Sequence, residues 1–274
     1  VLPMGVEVRP AAAAPFFLGS DRGDWRLEDP ARWVEGIPLA AEAERGLAST
    51  AEHLRAATLT VSLGPLDPAV TVVASTHRGA CTDGARALAE RHDHEQALLR
   101  RWEAAQPGLA PEAPAWIRQL VLAADAFVVE RSMDGASGHQ PGASLIAGYP
   151  WFNDWGRDTM ISLAGLTLAT GRCAAAERIL RTYAAHASHG LIPNSFPDRA
   201  VTPRHGKAVE VNALWVNALG AMAGFARLTG ADPGRWRALA DRAAAGFQRF
   251  WNPRMGGCFD VIDGPSGRPD DRLR

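Results

Sequence analysis

A chain of 274 residues, 47% hydrophobic, with 29 basic and 30 acidic side chains, is long enough for one substantial domain or two small ones and nearly neutral. Neutrality argues against nucleic acid or an anionic membrane as partner, and charges, glycine or proline break the apolar stretches before membrane-spanning length. Cys81, Cys173 and Cys258, odd in number and far apart, indicate reduced thiols in a cytoplasmic protein; no metal-ligand spacing occurs, so neither metal nor cofactor is expected.

The start, Val1 to Pro10, has neither a signal-peptide pattern nor an initiator sequence and reads as truncated or trimmed. Residues 1 to 80 read as β or irregular. Leu59-Thr60-Val61-Ser62-Leu63 and Val70-Thr71-Val72-Val73 are β-branched runs around the turn signal Gly64-Pro65-Leu66-Asp67-Pro68. Two strands make no stable sheet alone, so the segment predicts the remnant of a larger β-domain. Thr82 to Gln106 predicts a polar helix capped near Thr82 or Asp83, serving as a linker over 81–113 and ended by Pro107–Pro114.

From residue 114 to 274 the periodicity is helical. Helices are predicted at Trp116–Glu130, Asp158–Thr170 (closed by Gly171), Ala174–Ala187 (ended by Gly190), Val209–Thr229 (closed by Gly230) and Pro233–Phe250. The fourth is apolar nearly all round, with Val211, Leu214, Trp215, Leu219, Met222 and Phe225, and predicts a fully buried inner helix. The fifth is amphipathic and Arg-rich, as an outer helix is. Alternating inner and outer helices with long loops at one end predict helical hairpins arranged in a ring.

Three loops carry polar and aromatic groups. Residues 147–159 place Tyr149, Trp151, Phe152 and Trp155 around Asp154, Arg157 and Asp158. Either Asp could cap the following helix, but a cap needs neither the aromatic cluster nor an adjacent Arg. An Arg–Asp pair between aromatic walls suits vicinal hydroxyls, the carboxylate accepting from them and the guanidinium donating. Nine Trp, flat and able to donate one hydrogen bond each, fit the same reading or simply fill a core. Residues 190–198, with Pro193 and Pro197, form either a rigid connection or a wall. Residues 203–215 contain His205, the chain's single lysine Lys207, and Glu210 and Asn212 at a helix start, where they cap it or face a pocket. Glu210 either pairs with Lys207 or binds a hydroxyl, and is a weak candidate for a general acid.

These motifs, in this order, resemble the C-terminal amylo-α-1,6-glucosidase domain of glycogen debranching enzymes. The resemblance rests on Gly148-Tyr149-Pro150-Trp151-Phe152, Asp154-Trp155-Gly156-Arg157-Asp158-Thr159, the Gly190–Asp198 loop, Arg204 to Trp215, Phe250-Trp251-Asn252-Pro253 and Asp260-Val261. It covers residues 114 to 274; Trp33 to Thr76 more loosely resembles the end of a preceding β-sandwich domain. It implies an (α/α)6 toroid, here partial, and inverting hydrolysis of α-1,6-linked glucose at branch points of glycogen or a limit dextrin. Arg157 and Asp158 would hold the terminal glucose, Trp151, Phe152 and Trp155 would line its pocket, and Asn194, Lys207, Glu210 and Trp215 would lie nearby.

Inversion needs an acid and a base across the glycosidic bond. In the family the acid lies in a Thr-Trp-Met-Asp-like segment after several further helices, whereas here Asp198 is followed by Arg199-Ala200 and directly by Val201-Thr202-Pro203. The base would come from the last part of the toroid, beyond Arg274. The catalytic residues are therefore unassigned, and three readings stay open: a fragment or deletion product, omitted segments, or a non-catalytic glucan-binding relative. A half ring would also leave apolar inner helices uncovered and favour self-association.

Overall fold

A computed structural model describes residues 5–11, 13–65, 69–135, 138–148, 153–196, 206–264, 267 and 269–270. The chain divides into two units, Val1–Asp93 and His94–Arg274.

In the first unit, β1 (Gly5–Val8), β2 (Phe16–Ser20) and β5 (Val72–Ser75) form an antiparallel sheet in the order β1-β2-β5. β3 (Asp24–Pro38) and β4 (Thr50–Thr60) form a long antiparallel hairpin, with the short helix α1 (Ala40–Glu44) between them. The two runs picked out by composition fall at the end of β4 and the start of β5. The longest strand, β3, escaped that reading because it contains Pro30 and Gly36. Among the described residues it pairs with β4 alone, and an edge without a strand partner tolerates proline.

The linker-like helix is α2 (Gly84–Ala105), and the division between units falls within it. The Asp83 carboxylate accepts from the Arg86 amide at 3.0 Å, which is the expected cap, and Arg86 pairs with Glu90 one turn on.

The second unit is mainly helical. α3 (Ala115–Ala123) passes into a 3-10 turn, Ala124–Phe127. The helix predicted through Glu130 stops there: β6 (Val128–Gly135) and β7 (Gly138–Leu145) form an antiparallel hairpin instead. Val128 and Val129 are β-branched and the pairing extends along both strands, so tertiary pairing overrides the helical period. α4 (Gly156–Leu163) ends in a π-turn, Ala164–Leu168, where the Ala169 amide reaches back to the Ala164 carbonyl and Thr167 donates to the Leu163 carbonyl. Gly171 then takes φ +74° and closes the element; a Cβ there would sit 2.6 Å from the Arg101 carbonyl. α5 (Cys173–Ala185), α6 (Val209–Leu228) and α7 (Gly234–Phe247) follow within one or two residues of their predicted starts.

The main core joins α4, α5 and α6 through Leu163, Ile179, Leu180, Val211, Trp215 and Leu219, each at most 1% exposed. Burial of each such side chain contributes about 1.5–3 kcal/mol. α6 is not buried all round. Ala213, Asn217, Gly220 and Leu228 are exposed, so the apolar sequence predicts a face that nothing among the described residues covers. Among the described residues α6 is also one helix long and apolar enough to cross a membrane, which the sequence reading had excluded. Its inner face packs in the core around the fully buried Asn212.

Candidate functional site

The described parts of the three loops meet at the N-termini of α4 and α6. β8 (Asp154–Trp155) pairs with β9 (Ser195–Phe196), and β10 (Lys207–Ala208) pairs with β13 (Val261–Ile262). The Gly156 amide donates to the Asn194 carbonyl at 2.8 Å, and the Asn194 amide to the Gly206 carbonyl at 3.2 Å. Gly156 is required by close approach: a Cβ would lie 2.9 Å from Val211 and 3.1 Å from the Pro193 carbonyl. One main-chain layer thus ties residues 154–156, 194–196 and 206–208 together.

Arg157 and Asp158 leave this layer in different directions. The Arg157 guanidinium reaches Glu210 across the two helix starts at 3.7 Å, and both side chains are more than one-third exposed. A loose pair of that kind adds little stability and leaves the guanidinium within reach of a ligand. Asp158, a turn before Ser162, lines an open cleft of about 360 Å³ together with Ile161 and Leu166 of the same helical run and with Phe127, Leu145 and Ile146. A carboxylate and a hydroxyl set among mainly apolar groups suit a sugar ring, which presents hydroxyls at its edge and C–H groups on its faces.

Lys207 does not pair with Glu210. Its side chain is 9% exposed, and its ammonium donates to the Ser188 carbonyl and to Asp263, both at 2.8 Å. Arg249 grips the same carboxylate through two nitrogens at 2.6 and 3.1 Å. Arg249 first, then Lys207, holds the Asp263 carboxyl down at about 2. Asp263 lies only one residue beyond β13, so the expected partner was replaced by one that the sheet register brings closer.

Trp215 is 1% exposed and donates its indole N–H to the Gly190 carbonyl, which makes it a wall of the core, not of the cleft. Asn212 likewise faces no pocket; its amide group accepts from the Ile192 amide and donates to the Ile192 and Ala208 carbonyls. Asn194 is 3% exposed and Trp155 half-buried. Trp151, Phe152, His205 and the Asp198–Val201 passage lie outside the described residues.

Behind the cleft a buried hydroxyl pair fixes α4. Thr159 donates to the Leu145 carbonyl or shares its proton with Tyr183, 2.8 Å away. Burial pushes the Tyr183 phenol up to about 12. Sequence reasoning missed Ser162, Phe127, Asp263, Arg249 and Arg131. Arg131 places its Nε 3.1 and 3.0 Å from the two oxygens of Asp154, so that carboxylate is neither a helix cap nor a free ligand for hydroxyls. Only Ser162 had a signal, standing four residues after Asp158 on one helical face. No metal-binding group of three or more His, Cys, Asp or Glu forms among the described residues.

The amylo-alpha-1,6-glucosidase family profile matches residues 122–200 and 197–274, more than half of the chain, in two stretches that meet at the Asp198–Val201 passage. The chain is also similar to the glycogen debranching enzyme of Saccharomyces cerevisiae, 42% identical over 67 residues, which covers 23% of this chain and 4% of the yeast enzyme. No solved structure matches. With the motifs in order, their loops drawn into one layer and the profile covering residues 122 to 274, this chain belongs to the amylo-α-1,6-glucosidase family.

Proposed function

We propose that this chain holds the glucose-gripping part of an α-1,6-glucosidase of the glycogen-debranching type, a cytoplasmic inverting hydrolase acting on branched α-glucan. The observation that carries the reading is the Asp158 cleft, with Asp158 and Ser162 among apolar lining groups and Arg157 next to Asp158 at the helix start. Asp158 accepts from vicinal hydroxyls of a terminal glucose, Arg157 donates to a neighbouring one, and the half-buried Trp155 adds a flat face. Asn194 and Lys207 support the layer from which these groups project, and Glu210 keeps Arg157 in reach. In this reading residues 114–274 belong to an (α/α)6 toroid, 81–113 are a linker helix, and residues 1–80 are the remnant of a β-sandwich. Family membership and the similarity to the yeast enzyme support the substrate class. The acid and base stay unassigned.

Replacing Asp158 by Ala removes a charged acceptor, and affinity for a branched α-glucan oligosaccharide falls about 10- to 100-fold, from hydrogen bonds to a charged group worth about 1.5–3 kcal/mol. Isothermal titration measures it, and unchanged affinity refutes the reading. A second reading, a glucan-binding relative without turnover, is favoured by the short passage from Asp198 to Val201. Glucose release from a phosphorylase limit dextrin by the full-length protein separates the two.

A further inference from the structure

The hairpin β6–β7 touches the candidate site twice. The end of β7 supplies Leu145 to the cleft that Asp158 also lines, and Ile146 follows it. β6 supplies Arg131, opposite Gly142 in the register, whose Nε is shared between both oxygens of Asp154 while Nη1 donates to the Glu130 carbonyl at 3.1 Å.

Asp154 is 8% exposed, and a carboxylate buried to that degree is held in place by its cation. Its main chain is fixed from the other side, where it pairs with Phe196. From Asp154 the chain runs through Trp155, Gly156 and Arg157 to Asp158 with no intervening loop. The Arg131–Asp154 pair therefore ties the strand hairpin that supplies Leu145 to the cleft to the segment that carries Asp158. A two-residue strand needs no carboxylate at its start. A set spacing between the hairpin and that segment does: one Arg131 N–H, shared between both oxygens, bridges them in a setting largely closed to water.

We infer that Arg131 is a positioning residue that sets the aperture of the Asp158 cleft, and hence its fit to a pyranose ring. It touches no substrate and acts through Asp154. The inference rests on the sugar-binding reading for its consequence, but not for its geometry.

The test compares wild type with Arg131→Met, which keeps the apolar stem without a donor, and Arg131→Lys, which keeps a cationic donor at similar reach. Arg181→Ala, an exposed partner of Glu177 on α5, is the control. Two measurements are made: amide hydrogen exchange at residues 154–158 without sugar, and affinity for a tetrasaccharide with one α-1,6-linked glucose. In Arg131→Met the exchange accelerates and the affinity falls, each by about tenfold or more, while Arg131→Lys recovers most of both losses. Arg181→Ala matches wild type. If Arg131→Met does not fold, Asp154→Asn replaces it, with the same losses expected. Wild-type exchange and affinity in a folded Arg131→Met or Asp154→Asn protein overturn the inference. A wild-type protein that takes no sugar sinks the proposed function alone, and exchange then decides the role of Arg131.

Discussion

Asn212 shows how a polar side chain can build a site without entering it. Fully buried one turn into α6, it satisfies both main-chain groups of Ile192 and so fastens the 190–196 loop to the helix that carries Glu210. In Asn212→Ala the Ile192 amide and carbonyl are left buried without partners, which costs about 2–4 kcal/mol. Urea unfolding reads that loss as a lower midpoint at unchanged slope, and a shift below about 1 kcal/mol would show that water or another group takes over. The sequence left Asn212 open between capping and pocket, because helical period places a residue on a face and does not say what that face meets. Arg157 and Asp158 were legible as a pair for a similar reason and misread in detail: consecutive helical residues diverge by about 100°, so their side chains serve different neighbours. Arg131 was not legible at all, since its partner stands 23 positions away and meets it only through tertiary folding.

Among elements, α4, α5 and α6 were readable because glycines at 171, 190 and 230 adopt positive φ where the pattern stops, and α7 by its amphipathic, Arg-rich pattern. The hairpin β6–β7 and the two-residue strands were not, since pairing depends on distant partners. The closure of β10 on β13 is one such pairing, reinforced by Lys207 and Arg249 on Asp263. Asp263 holds φ +56°, a left-handed conformation that these cations help maintain. Its carboxyl falls from 3.8 to about 2 on folding, so the contribution is fully present above about pH 4 and is lost as pH drops toward 2. The melting temperature of wild type therefore falls more steeply from pH 4 to pH 2 than that of Asp263→Asn. Parallel curves would remove Asp263 from the acid response.

For the molecule as a whole, the exposed apolar groups matter most. Ile161 on α4 is 65% exposed and Leu228 on α6 is 81% exposed, with Ala213 and Gly220 open along the same helix. Helix faces of that composition favour association when nothing else covers them. The chain alone is expected to sediment faster as its concentration rises, and Ile161→Asp with Leu228→Asp to suppress that dependence. A single, concentration-independent species would show that these faces tolerate water.

The lysine at position 207 has one more consequence. All other basic side chains in the 274 residues are Arg or His, so an amine-selective reagent finds a single ε-amine in the chain. That amine lies under Asp263 and the Ser188 carbonyl, 9% exposed. Its acylation rate thus reports how often β10 and β13 part, a chemical clock for the opening of one seam, already written into the natural sequence.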